Sequence, residues 1–518
     1  MMNQKSLKAL VIISALVIVG GFNQRVGFCD PSKNSPFGSN NPFRATKGTT
    51  SDYLEDLGVG WISDNLLRRK IEKQEKGVIV YDFSSIKRQI REFGEETRSN
   101  AWFVIQPESK FNFVDGKRIR KTKYFLPAGP VSFQAYEQYL VNLVTYVNTK
   151  VPGWQVKYWS IDNEPHSFYL KAFGHDKEEA KEAAEAYAEL VERSYKIITQ
   201  IYPDAKVVFG GPASGTPNKA YNRFYKKSLE ILKGKDPYGY FDFFDYHNFN
   251  SFEKYKENSK GRDISFFRQL LADTGFEDKP IIIKAGATHS GMDALGNSKA
   301  MVYQTEREQA EHLLKRFIYH VGEGVKLIMW GTIRENEFFD DDPHSFFNFT
   351  GLVYNGIPGP GECDPGVQQP CPDPGDGIKK LSYYTFKLLN EKTDGSDWEN
   401  VETVRNGDDN VYIHKLTKTD TGDPIWVVWW DYFDEAGYST GDIKTITLNV
   451  GTAESVVATE TIPYAESGAD LVEIPYPEFF NTEEIPVEDG QVSLVLKEIP
   501  LFIEISDGQG GQGLNYPL

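Results

Sequence analysis

The chain has 518 residues, with 57 Lys and Arg against 74 Asp and Glu, a formal charge of −17, and 40% hydrophobic and 14% aromatic residues. This composition is that of a globular protein, not a disordered or fibrous one, and the length exceeds what one ordinary domain uses. An acidic chain without a basic stripe is repelled by phosphate backbones, so nucleic acid is excluded as an expected partner.

In chain order, the first expected element is a secretory signal over residues 1–28. It has a basic start at Lys5 and Lys8 and an apolar run from Ala9 to Gly21 that is too short to span a bilayer comfortably. The chain is therefore expected to be secreted or extracytoplasmic. No later stretch approaches the roughly eighteen apolar residues that a membrane span needs.

Residues 36–392 read as a barrel of the α/β class. Short apolar runs at 37–40, 59–62, 101–105, 156–161, 206–209, 241–246, 280–283 and 325–330 alternate with longer helical segments. In one of these, 176–202, Ala180, Ala183, Ala184, Tyr187, Leu190, Val191, Ser194 and Ile198 recur at three- and four-residue steps, the stripe of an amphipathic helix. Alternating strands and helices imply a parallel sheet. Eight such units without a Gly-x-Gly-x-x-Gly after the first strand favour a closed (β/α)8 TIM barrel over an open doubly wound sheet.

The Pro-, Gly- and Asp-rich stretch 357–377 reads as a long loop in or after the eighth unit. Its Cys363 and Cys371 suit a local disulfide in an exported chain, while Cys29 is a leftover near the signal. Its acidic residues suit calcium, but a stapled surface loop without metal is the preferred reading, and no cofactor is expected. From 396 to 507 the pattern becomes strand alternation (411–416, 425–430, 443–450, 492–496, 501–505) with Gly, Asp and Thr turns, which predicts a C-terminal antiparallel β-sandwich of about 110 residues. Trp426 and Trp429, an odd spacing apart, fall on opposite faces of their strand unless a bulge intervenes.

In a closed parallel barrel the informative residues follow each strand. The fourth run ends Tyr158-Trp-Ser-Ile-Asp-Asn-Glu-Pro-His, which puts Glu164 at a strand mouth between an amide and a strand-stopping proline. A single Glu at a strand end is usually a solvated loop residue, but Asn-Glu-Pro in the fourth position of eight is far more specific. On Asn163-Glu164-Pro165 the chain resembles the retaining (β/α)8-barrel glycoside hydrolases whose catalytic glutamates end strands four and seven, a group that includes cellulase-, xylosidase- and mannanase-like enzymes. The resemblance covers about residues 36–390. Asp52-Tyr-Leu-Glu-Asp-Leu-Gly-Val-Gly-Trp, Ile71-Glu-Lys-Gln-Glu-Lys-Gly and Tyr81-Asp-Phe look like the group's second βα unit.

The resemblance implies that Glu164 is the general acid/base, that Asn163 binds the sugar 2-hydroxyl, and that the substrate is a β-linked glycan. Glycoside cleavage with retention needs a second carboxylate about 5–5.5 Å from the first. The seventh run, Lys279-Pro-Ile-Ile-Ile-Lys-Ala-Gly, has the outline of the group's seventh strand, yet Ala285 stands where the nucleophilic glutamate belongs. Two readings compete: a Glu-to-Ala variant of an active enzyme, favoured because the remaining site looks intact, or a natural barrel that binds glycan without cutting it. Glu335 and Glu337 after strand eight are poorly placed to substitute.

Further positions follow from the same resemblance. His247 matches the start of a strand-six His-x-Tyr, although Phe249 replaces the tyrosine. Trp330 stands where the group places an aromatic platform under the sugar, and Ser63 stands where many relatives have an arginine. The aromatic-rich stretch 106–130, with Phe111, Phe113, Tyr124 and Phe125, is expected to wall a cleft or a blind pocket.

A disulfide between Cys363 and Cys371 would close a small ring worth on the order of 2–3 kcal/mol at most. Thiol titration of the unfolded, unreduced protein should find neither of these cysteines free, and two reactive thiols from this loop would remove the disulfide.

Overall fold

The structure, a computed structural model, describes residues 35–40, 50–76, 78–97, 99–109, 113–114, 117–118, 130–212, 219–249, 264–291, 303–336, 345–357, 362–364, 367–370, 374–434, 437–439 and 441–506. The expected signal, the Cys363–Cys371 pairing, the acidic loop as a calcium site and most of the aromatic stretch lie outside the described residues and side chains.

Eight strands close into a parallel barrel in chain order: β1 (Phe37–Asn40), β2 (Trp61–Leu67), β3 (Asn100–Gln106), β4 (Tyr158–Ile161), β5 (Lys206–Phe209), β6 (Phe243–Phe249), β7 (Ile281–Ala287) and β8 (Ile328–Trp330). Closure comes from β1 pairing with β8, Phe37 opposite Ile328 and Ser39 opposite Trp330. Gly38 allows the approach of β2, since a Cβ there would lie 2.5 Å from the Trp61 carbonyl oxygen. Inward residues Trp102, Val208, Ile282, Leu327 and Met329 pack together inside the barrel, while outward residues join the helices in a larger core.

The helix Lys177–Ile201 shows how sequence fixes this layer. Its buried stripe is the predicted one, with alanines at the N-terminal end that let it lie close to the strands. Asp176 and Glu179 cap it reciprocally, at 2.9 and 3.1 Å. From its middle, the Tyr187 hydroxyl donates to the Ile161 carbonyl and accepts from Gly210 N–H, each at 2.9 Å, and so ties the mouths of β4 and β5 together.

Three barrel strands run past the apolar runs that announce them. The polar Ser63, Asp64 and Asn65 end the apolar run of β2, yet the strand continues to Leu67 because backbone pairing with β3 runs unbroken from Trp61 to Leu67. Ser63 is therefore a fully buried mid-strand residue and not a strand-end counterpart of an arginine. The residue that follows the strand is Arg68, buried against Glu72 at 2.6 Å and over the rings of Tyr136 and Tyr139. β6 and β7 likewise extend to Phe249 and Ala287.

The C-terminal strands are β9 (Glu402–Asp408), β10 (Val411–Thr417), β11 (Pro424–Trp430), β12 (Lys444–Asn449), β13 (Ser455–Glu460), β14 (Thr482–Pro486), β15 (Gln491–Leu496) and β16 (Leu501–Ile505). They form a six-stranded sheet, β9-β10-β11-β16-β13-β14, and a separate antiparallel pair, β12-β15. The register of β10 on β11 is unbroken, so Trp426 faces the core shared with the β12-β15 pair while Trp429 faces the barrel side and stacks on Tyr412 at 5.0 Å. The buried Glu306 carboxylate joins the two units. It accepts from Leu381 N, Gly468 N, Ser467 Oγ and Tyr354 Oη at 2.7–2.9 Å. Among the described residues no helix is long and apolar enough to cross a membrane.

Asp56 closes the ring of helices. It accepts from Lys379, Lys387 and Tyr383 on or beside the last barrel helix, Leu381–Thr393. Burial raises its pKa, but these bonds overcome that and carry it from 3.8 down to about 2. A depressed carboxyl pKa contributes stability that is full above the unfolded value and is lost as pH falls through about 2. Asp56→Asn should cost about 1–2 kcal/mol at pH 7 after allowance for partial exposure, and the difference should vanish towards pH 2. Urea unfolding against pH measures it, and an equal cost at both pH values would contradict the assignment.

Candidate active site

The rim at the carboxyl ends of the strands is built from β4, β6 and β7. After β4 the chain turns sharply, with Asp162 at φ 68° and Glu164 at φ 50°, both in the left-handed region. Non-glycine residues rarely occupy it, and they concentrate at functional sites. Pro165 then starts the helix Pro165–Phe173, which leaves Glu164 at its N-cap position with a side chain 28% exposed. Asp162 is buried behind it and accepts from Asn163 N–H at 2.7 Å. Burial, with some help from the charge of Glu108, pushes the Asp162 carboxyl up to about 8 against the pull of the Asn163 N–H and Lys284.

Glu164 meets β6 through His247, Oε1 to Nδ1 at 2.7 Å, and the other ring nitrogen of His247 lies 3.2 Å from Asp245 Oδ2. With a carboxylate oxygen at each nitrogen, the ring donates at both, which favours the imidazolium. Burial pulls the His247 pKa down, but the charge of Asp245 and the bonds to Asp245 and Glu164 outweigh it and the repulsion of Lys284, so the pKa stands above 6.5. Glu164 responds in the opposite sense. Burial raises its pKa, while the bond and charge of His247 and the charges of His166 and Lys284 bring it below its ordinary value. Asp245 is fixed in turn by the Lys284 backbone N–H at 2.8 Å. Gly211 makes room for this pair, since a Cβ there would come within 2.4 Å of Asp245 Oδ2.

A bulge shapes β7. On the β6 side the register steps from Asp245 opposite Ile282 to His247 opposite Ala285, and on the β8 side from Ile283 opposite Ile328 to Gly286 opposite Trp330. Strict alternation would send Lys284 and Ala285 to opposite faces. The extra residue instead lets the buried Lys284 reach the Asn163 side-chain oxygen through Nζ while Ala285 lies level with His247. Bulges re-aim side chains in this way beside active sites.

Of the residues singled out from sequence, Asn163, Glu164, His247 and Ala285 thus come together. Trp330 does not join them. It is fully buried, donates from Nε1 to the Thr350 carbonyl at 2.8 Å and packs on Phe317 in the helix layer, so it is a core residue and not a sugar platform. Glu335 is buried in an ion pair with Lys380, which also reaches Ser290, and Glu337 lies outside the described residues. Phe249 packs edge-on against Phe347 at 5.0 Å. Sequence reading passed over Asp245, Asp162 and Lys284. Asp245 was accessible as the i−2 neighbour of His247 on the same strand face, and Lys284 as the charge that ends the apolar run 280–283. Among the described residues no group of His, Cys, Asp or Glu side chains is arranged to hold a metal ion.

If Asp245 sustains the charge on His247, Asp245→Asn should lower the His247 midpoint towards or below 6.5 and raise that of Glu164. NMR titration of the histidine ring and glutamate carboxyl carbons reads both. A His247 midpoint that is unchanged in the variant would refute the linkage.

No protein-family model matches the sequence, and no curated protein matches it. Solved structures do match the fold. A monomeric β-xylosidase from Caulobacter crescentus CB15 superimposes with a TM-score of 0.55 at 15% identity, over 90% of this chain and 95% of that one. A glucosidase from Croceicoccus marinus gives 0.54 at 13% identity, over 90% and 95%. CelM2, a bifunctional glucanase-xylanase from a metagenome library, gives 0.52 at 12% identity, over 92% and 97%. All three are glycoside hydrolases by the activities their names carry. At these identities the likeness is one of fold, a closed parallel barrel followed by antiparallel strands, and it runs through most of each chain.

Proposed function

We propose that the chain is an exported, retaining glycoside hydrolase of β-linked poly- or oligosaccharides, in a form that lacks its nucleophile. The observation that carries this reading is the Asn163-Glu164-Pro165 turn at the mouth of the fourth barrel strand, with Glu164 held by His247 from β6 and Ala285 level with His247 on β7. The fold likeness to a β-xylosidase, a glucosidase and a glucanase-xylanase supports the substrate class.

In this reading Glu164 protonates the glycosidic oxygen as the bond breaks and later takes a proton from water, while a carboxylate at position 285 attacks the anomeric carbon from the other face. Residue 285 also governs the protonation of Glu164. With alanine there, the surrounding cations prevail and lower the Glu164 pKa, leaving it ionised and unable to donate at neutral pH. A carboxylate at 285 adds a like charge, which raises the pKa of its partner towards the range a general acid needs. One position therefore supplies the attacking atom and the like charge that keeps the acid protonated.

A second reading is a glycan-binding barrel. Ala285 itself favours it, because nothing at that position opposes the positive charge of an oxocarbenium-like state. Ala285→Glu separates the two. Hydrolysis of a matching aryl β-glycoside should rise roughly a thousandfold or more, with net retention by product NMR. On an activated aryl glycoside, whose leaving group needs no proton from Glu164, azide or formate should partly rescue the alanine form and give the inverted product, since only one displacement occurs. Absence of activity on a broad panel of glycosides after the substitution would overturn the hydrolase and leave the binding protein.

A further inference from the structure

Lys284 lies in the rim beside Glu164, yet the acid/base chemistry makes no direct use of it. The residue is 2% exposed, and burying an ammonium is costly unless its protons are matched by acceptors. The β7 bulge turns it towards β4, where Nζ donates to Asn163 Oδ1. A protonated lysine carries three donors and no acceptor, so the amide atom that meets it is the oxygen. The flipped amide would set an N–H2 against an ammonium. Asn163 is half-buried at the mouth; with its oxygen turned onto Lys284, the amide is fixed with its N–H2 on the side away from the lysine, and the oxygen's second lone pair stays beside the ammonium.

We propose that Lys284 is a positioning residue for substrate recognition: it locks the Asn163 amide so that the sugar meets a donor, and the site thereby selects a substituent that accepts a hydrogen bond. This rests on the reading of the rim as a sugar site in which Asn163 faces the 2-position. A 2-hydroxyl oxygen satisfies the donor. A protonated 2-amino group, which can only donate, meets like groups from Asn163 and an ammonium close behind it, and is rejected.

Calorimetry at pH 6 with p-nitrophenyl β-D-glucopyranoside and its 2-amino-2-deoxy analogue tests this on the full chain, on Lys284→Met and on Lys284→Gln. The chain should prefer the 2-hydroxy sugar by about tenfold or more, the effect of one hydrogen bond made against one denied. Both variants should cut that preference to roughly threefold or less, because the freed amide can turn its oxygen to the amine. The Asn163 side-chain 15N signals, read in the same three proteins without sugar, should move in both variants. Unchanged selectivity in both variants overturns the proposal, as do unchanged amide signals. Moved amide signals with no glucoside bound by any form support the lock on Asn163 and count against the sugar-site reading on which the selectivity rests.

Discussion

The hydrogen bonds that join β1 to β8 impose a constraint that everything at the rim inherits. Once eight parallel strands are closed, their carboxyl ends all open at one end of the barrel, and residues far apart in sequence are brought within bonding distance. Glu164 and His247 are 83 positions apart and share a 2.7 Å bond. Lys284 and Asn163 are 121 positions apart and also touch. The Tyr187 hydroxyl reinforces the arrangement from outside, by fixing the backbone at the mouths of β4 and β5.

Charge balance decides what that rim can do. Asp245, His247 and Glu164 form a carboxylate–imidazole–carboxylate chain that favours a proton on the ring, and Lys284 adds a cation beside it. Glycosidase catalysis wants the opposite bias: one carboxylate ionised to face positive charge, and a second kept protonated by the first. The side chain at 285 is where the two regimes part. An alanine leaves Glu164 among cations and so keeps it a hydrogen-bond acceptor, which in the proposed reading suits holding a sugar better than cutting it.

Much of this was legible in the sequence because the two signals involved are periodic and positional. The eight apolar runs mark the barrel strands, the stripe on Lys177–Ile201 marks the face that packs on them, and Asn163-Glu164-Pro165 marks a strand mouth. Strand extent was not legible where polar residues belong inside a strand, as Ser63 to Asn65 do, because an apolar run stops before backbone pairing does. The edge strands β9 and β14 escaped for a related reason. Glu402–Asp408 and Thr482–Pro486 sit at the two ends of their sheet with mostly exposed side chains, and carry little apolar sequence. Trp330 misled because a tryptophan ending a strand can face the rim or the helix layer, and only the structure shows that its N–H is satisfied by the Thr350 carbonyl. The bulge in β7 leaves no mark in sequence, so the convergence of Lys284 on Asn163 had to be seen in three dimensions.

The central claim, that this rim receives a β-linked sugar between Glu164 and Ala285, is tested most directly by a crystal structure of the unaltered chain soaked with xylo- and cello-oligosaccharides. The account predicts a glycosidic oxygen within hydrogen-bond distance of Glu164, with the anomeric carbon of the same sugar ring facing Ala285. Oligosaccharide bound elsewhere on the molecule while this rim holds only water would contradict it.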